Sequence, residues 1–164
     1  MKSIRDTATD IRKMPILAKA AAVACGVKGI ELGKGFPDID IKLFGIGGHR
    51  NWFTHSAFTS FLLYKAVKAY RKRLDGGAGG PFGKKALKYI GAPCMAAFSL
   101  ANAAHLFADM LGAKDVIGWP VGLLLGNSRI KDKIWLGGNA VVCIVLAWKF
   151  LQIMAEKDEG GLLS

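Results

Sequence analysis

The sequence predicts an all-α fold: a four-helix transmembrane bundle with one short re-entrant or interfacial segment. Three observations carry this. Apolar residues gather in long blocks instead of alternating with polar ones, the pattern of helices and not of half-buried strands. Four of these blocks approach the length of about 20 residues at which an α-helix crosses a hydrocarbon core. The mean hydropathy is positive, +0.30, despite a formal net charge of +11, because the basic residues cluster between the apolar blocks. Residues 1–164 read as a single membrane-embedded domain.

The first block, Met14 to Ile30, is interrupted by Lys19 and Lys28. It reads either as a span or as a helix lying in the interface with its lysines among the headgroups. The second, Trp52 to Tyr70, opens at Thr54-His55-Ser56, where Thr54 or Ser56 is placed to cap the helix. The run Gly76-Gly77-Ala78-Gly79-Gly80-Pro81 then breaks the chain into a flexible hairpin, since glycine weakens helices and proline cannot continue one. The third block, Ala86 to Leu111, contains Pro93, at which a kink is expected, and Gly91, which permits close helix approach. Trp119-Pro120-Val121-Gly122-Leu123-Leu124-Leu125 is too short to span and is broken by proline and glycine. It is either a re-entrant segment or a loop anchored by an interfacial tryptophan. The fourth block, Ile134 to Met154, carries only Lys149, close enough to the end to snorkel. Nothing at the N-terminus resembles a cleavable signal peptide, and the tail from Glu156 is charged, then glycine-rich.

The placement of charge orients these blocks. Lys2, Arg5, Arg12 and Lys13 precede the first, and Lys65, Lys68, Arg71, Lys72, Arg73, Lys84, Lys85 and Lys88 crowd the connection between the second and third. By the positive-inside tendency both segments face the cytoplasm, which fits four crossings with both termini inside. The connections 31–51 and 112–133 then lie outside, although the second carries Lys114, Arg129, Lys131 and Lys133. A basic stripe along one helix, as a nucleic-acid-binding surface needs, is absent, so no nucleic-acid partner is expected and membrane lipid is. Cys25, Cys94 and Cys143 are odd in number, far apart and inside apolar blocks, with no CxxC motif. They read as helix-contact residues.

The polar residues able to do chemistry fall in two groups that contain all three histidines. His105 and Asp109 stand four apart in a helical block, so both project from one face. That spacing lets one helix offer two ligands to an ion, and it equally suits a histidine donating to a neighbouring carboxylate. Within a bilayer helix, however, such a pair is costly unless paired, hydrated or functional. Asp38 and Asp40 follow Pro37 in a segment where Gly33, Gly35 and Pro37 argue against helix. In an extended stretch both carboxylates point to one side, towards a cation or a ligand histidine. An Asx turn is the alternative, and the nearby histidines favour ligation. His49 and Arg50 end the glycine run 45–48, and Arg50 offers bidentate geometry to a phosphate or carboxylate. Imidazole and carboxylate donors without thiolates suit a divalent ion, zinc or alternatively manganese.

In order, the motifs are Pro37-Asp38-Ile39-Asp40, His49-Arg50, Thr54-His55-Ser56, His105-Leu106-Phe107-Ala108-Asp109 and Trp119-Pro120. This series resembles the YdjM-type inner-membrane proteins, described as membrane-bound metal-dependent hydrolases, over residues 33–125. Where that family has a compact HRGxTHS, this chain has one further residue and Asn51 in place of glycine. The resemblance implies a multi-pass protein of the bacterial inner membrane.

Two functional classes follow. In the first, a divalent ion held by His49, His55, His105 and one or more of Asp38, Asp40 and Asp109 activates water, a spare carboxylate acts as general base, and Arg50 holds the anionic part of a phosphoester or lipid substrate. Asp38, Asp40, Arg50 and Asp109 are then the catalytic candidates, at the extracytoplasmic membrane face. In the second, the same residues form a structural or sensing metal site in a non-catalytic membrane protein, because ligand sets of the two kinds overlap. Oligomeric state is not legible in either.

Overall fold

A computed structural model describes residues 3–44, 53–77, 80–112 and 129–155. Among them the chain is helical throughout, with no strand. The elements are α1 (Ile4–Arg12), α2 (Ile16–Gly35), α3 (Ile39–Phe44), α4 (Phe58–Asp75), α5 (Gly80–Ala86), α6 (Ala92–Leu111) and α7 (Arg129–Met154). A π turn, Leu87–Gly91, joins α5 to α6 in one continuous rod.

α1 lies in the charged N-terminal stretch that shows no apolar block. A local signal explains it: the Ser3 hydroxyl accepts a hydrogen bond from the Asp6 N–H and donates to its carboxylate, a capping arrangement at the helix start.

α6 is the central helix, packing on α2 along one side and α7 along the other, the two most extensive interfaces of the fold. The glycines of α2 explain the first. A Cβ on Gly29 would run into the backbone carbonyl of Cys94, and one on Gly33 into that of Phe98. These two residues, four apart on one face, let the helix backbones touch. Gly33 and Gly35, expected to end helical structure, therefore lie inside α2; close packing on α6 outweighs the modest cost of glycine in a helix.

The third block likewise starts earlier than its apolar residues suggest. Pro81 sits in the first turn of α5, where its missing N–H is unneeded, so it opens a helix instead of stopping one. Pro93 cannot donate to the carbonyl four residues earlier and its ring would crowd it. The helix widens just before it: Ala92 N–H reaches back to the Leu87 carbonyl, five residues away, and the rod continues.

Two described helices are long and apolar enough to cross a membrane, Gly80–Leu111 and Asp132–Met154. α2 and α4 reach 20 and 18 residues. Lys19, Lys28, Glu31 and Lys34 interrupt α2, and Lys65, Lys68, Arg71, Lys72, Arg73 and Asp75 load the C-terminal half of α4.

Large apolar side chains point outward on every long helix: Ile16, Leu17 and Val23 on α2, Phe61 and Leu62 on α4, Leu100 and Phe107 on α6, Val141, Val142, Ile144 and Val145 on α7. The interior holds small and polar groups beside its hydrophobic residues. Around Ala103, Leu106, Leu136, Ala140 and Cys143 lie buried Ser60, Ser99 and Asn102. Cys25 and Cys94 are half-buried and Cys143 fully buried, all as free thiols, in keeping with helix-contact roles.

Candidate metal centre

The centre is built where the start of α4 meets α6, α7 and the α2–α3 corner. Residues 53–57 form a non-helical turn leading into α4. Ser56 shapes it, its hydroxyl donating to the Phe53 carbonyl at 2.8 Å and accepting from the Phe58 N–H at 3.2 Å. Since Thr54, His55, Ser56 and Ala57 are all buried, their backbone groups need partners other than water. Side chains of neighbouring helices supply them. Trp135 Nε1 donates to the His55 carbonyl at 3.2 Å, Asn102 Nδ2 to the Ser56 carbonyl at 3.3 Å, and Asn139 Oδ1 accepts from the Ala57 N–H at 2.8 Å. Asn139 is held in turn by donating to the Trp135 carbonyl at 2.8 Å. The turn is thus fastened to both α6 and α7.

His55 projects from this turn with no solvent exposure. Its Nδ1 lies 3.2 Å from the Thr54 hydroxyl, which directs Nε2 at Asp109 Oδ2, 3.4 Å away. From α6, His105 Nε2 approaches the same carboxylate oxygen at 3.3 Å, as the four-residue spacing predicts. The two imidazoles meet edge to face with centroids 5.7 Å apart. Asp38, after the buried Pro37 at the end of α2, places Oδ1 3.7 Å from His105 Nε2.

These separations exceed ordinary hydrogen bonds and match ligand-to-ligand edges. Four donors about 2.1 Å from one zinc ion in tetrahedral array stand about 3.4 Å apart. Asp38, His55 and His105 each offer a ligand atom within 4.8 Å of the others and form a group able to hold a metal ion. Asp109 Oδ2, outside that group, lies against both histidines. All donors are imidazole nitrogen or carboxylate oxygen, which fits a divalent ion. Asp109 is deeply buried, its side chain 5% exposed, whereas that of Asp38 is 45% exposed.

A cavity of about 670 Å³ opens between α2 and α6, with Asp38 and His105 in its wall. The rest is largely apolar, formed by Ile30, Ala97, Leu100, Ala101, Ala104 and Ala108, with Lys34 contributing a cation. The alanines leave room because α6 turns its small residues to this side.

Of the residues expected at the site, Asp38, His55, His105 and Asp109 are brought together from three separate parts of the chain. Asp40 belongs to α3, not to an extended stretch. The Asp40 side chain, His49, Arg50 and Trp119-Pro120 lie outside the described residues. Trp135, Asn139 and Asn102 were not anticipated. Their signal was present: each is a hydrogen-bonding residue within an apolar span, and Trp135, Asn139 and Cys143 recur every four residues.

No family model, curated protein or solved structure matches this chain.

The Thr54 contact has a measurable consequence. Thr54→Val removes the group that orients His55 while keeping its shape, and affinity for a divalent metal is expected to fall about 10- to 100-fold. Titration against a competing chelator reads this directly; unchanged affinity would show that Thr54 does not orient the ligand.

Proposed function

We propose that this chain is a multi-pass, membrane-embedded, zinc-dependent hydrolase of the YdjM type, acting on a phosphoester-containing lipid at the extracytoplasmic face of the bacterial inner membrane. The observation that carries the reading is the convergence of Asp38, His55 and His105, whose ligand atoms lie within 4.8 Å of one another, with Asp109 against both histidines at 3.3 and 3.4 Å. The apolar cavity beginning at Asp38 and His105 supports a lipid-type substrate, with Lys34 available to its anionic portion.

A bound divalent ion supplies an acidified water and a polarised phosphoryl oxygen. The residues divide the remaining work by position. Asp38, His55 and His105 would hold the ion. Asp109, against both imidazoles, would be the spare carboxylate that takes the proton from water as general base. Arg50 is assigned to the leaving phosphate from the sequence pattern alone.

Asp109→Asn is expected to keep stoichiometric zinc and lose about 10²- to 10⁴-fold in turnover of a phospholipid panel, whereas Asp38→Asn loses both metal and turnover. Metal content beside phosphomonoester release checks the division; loss of zinc in Asp109→Asn would make Asp109 a ligand. A wild type that holds zinc and cleaves none of the panel would leave a structural or sensing site.

The outward apolar faces of α2, α4, α6 and α7 support four crossings, since so much exposed apolar surface is unusual in a soluble monomer. The site lies at the N-terminal end of α4, and the basic residues from Lys65 to Lys88 gather towards its other end. In a variant lacking the native cysteines, a membrane-impermeant thiol reagent added outside should label Asn127→Cys and spare Ala78→Cys. The reverse pattern would place the site in the cytoplasm.

A further inference from the structure

At the far end of α4 a second cavity, of about 490 Å³, opens between α4 and α7. Lys68, Arg71 and Lys72 face it from α4, at positions spaced to share one helix face, and Lys149 faces it from α7. Among the described residues Asp75 is the only carboxylate in its wall, and it is engaged by Arg71 at 3.9 Å and Lys84 at 3.3 Å. Lys68, Lys72 and Lys149 have no acidic partner among the described residues. Four cations thus converge on one concavity against one occupied carboxylate. Their mutual repulsion is relieved when an anion enters.

The surroundings indicate which anion. Lys149 belongs to the most apolar helix, five residues before its end, and next to it α7 presents outward Val141, Val142, Ile144 and Val145. Tyr64, Gln152 and Ile153 complete the wall: an aromatic with a polar tip, an amide and an aliphatic chain. The cavity therefore has a basic part and an apolar part where an apolar helix ends. It lies roughly 15 Å or more along α4 from the turn that carries His55. We infer that this cavity binds the phosphate of an anionic phospholipid headgroup, with Lys68, Arg71, Lys72 and Lys149 as the phosphate cradle and Tyr64 and Ile153 against the glycerol and upper acyl chain. The site is separate from the metal centre, and the inference stands without the hydrolase reading.

The test is native mass spectrometry of the detergent-purified full chain with added phosphatidylglycerol or phosphatidylcholine. Phosphatidylglycerol should bind at least about tenfold more tightly. At roughly fivefold per lysine, Lys68→Gln with Lys72→Gln should weaken it about thirtyfold, and Lys149→Gln, from the opposite helix, about fivefold. Lys65→Gln with Lys85→Gln removes the same charge outside the cavity and should change binding less than about twofold. Equal weakening by both double variants, or equal retention of the two lipids, overturns the site as diffuse surface attraction. Inorganic phosphate should not raise the unfolding temperature as phosphatidylglycerol does. If it does so equally, the ligand is a free anion and the lipid assignment fails. Circular dichroism confirms that each variant retains the helicity of the wild type.

Discussion

If the centre holds zinc as proposed, replacing His105 with alanine is expected to abolish stoichiometric metal in the purified protein, lowering affinity by about two orders of magnitude or more. The magnitude follows from structural zinc sites, whose apparent binding free energy of about 10–16 kcal/mol is shared among four ligands, or about 3 kcal/mol each. His105 is the strongest choice because it touches both carboxylates, Asp109 at 3.3 Å and Asp38 at 3.7 Å. Losing it also leaves Asp109 buried with one imidazole fewer, which compounds the loss of the ligand. Metal analysis of wild type and variant after the same chelator wash decides the matter. An unchanged zinc content would show that these four residues form a polar lock between helices and not a metal site.

Gly33→Val is expected to destabilise the protein by about 3 kcal/mol or more, through overpacking that side-chain repacking cannot relieve. The new Cβ meets the Phe98 carbonyl and lies 2.9 Å from Ala101 Cβ, and the first of these is backbone in the middle of α6. α2 must therefore move away from α6, and Asp38, three residues beyond the end of α2, moves with it. Loss of thermal stability should accordingly be accompanied by weaker metal binding. Gly35→Ala is the control, since nothing lies within 4 Å of a Cβ there. It should be neutral or stabilising by up to about 1 kcal/mol, because alanine favours the helix. If Gly33→Val unfolds no earlier than Gly35→Ala in detergent, the close α2–α6 contact is not formed in the folded protein.

How the site reads from sequence differs residue by residue. His105 and Asp109 were visible as a pair because helical periodicity alone puts them on one face. Asp38 was visible as a candidate, but glycines 33 and 35, read as breakers, lie inside α2. Glycine disfavours a helix by about 1 kcal/mol, and close packing against a neighbouring helix more than offsets that. The clamp of Trp135, Asn139 and Asn102 was not read as such, since hydrogen-bonding groups on two helices reveal nothing of a shared partner until the helices are assembled.

By itself the sequence determined the all-helical class, the two most apolar helices, the chain break after Asp75, and the identity of the residues with metal-ligand chemistry. These are properties of composition and of local period, which depend on neighbours within a few positions. The tertiary structure alone decided that α2 and α6 touch through Gly29 and Gly33, that a π turn carries the helix past Pro93, and that Asp38 and His55 meet His105 and Asp109. All but the π turn join residues far apart in the sequence. They depend on which helix faces fit together at close range, a steric property of the assembled bundle that no local pattern encodes.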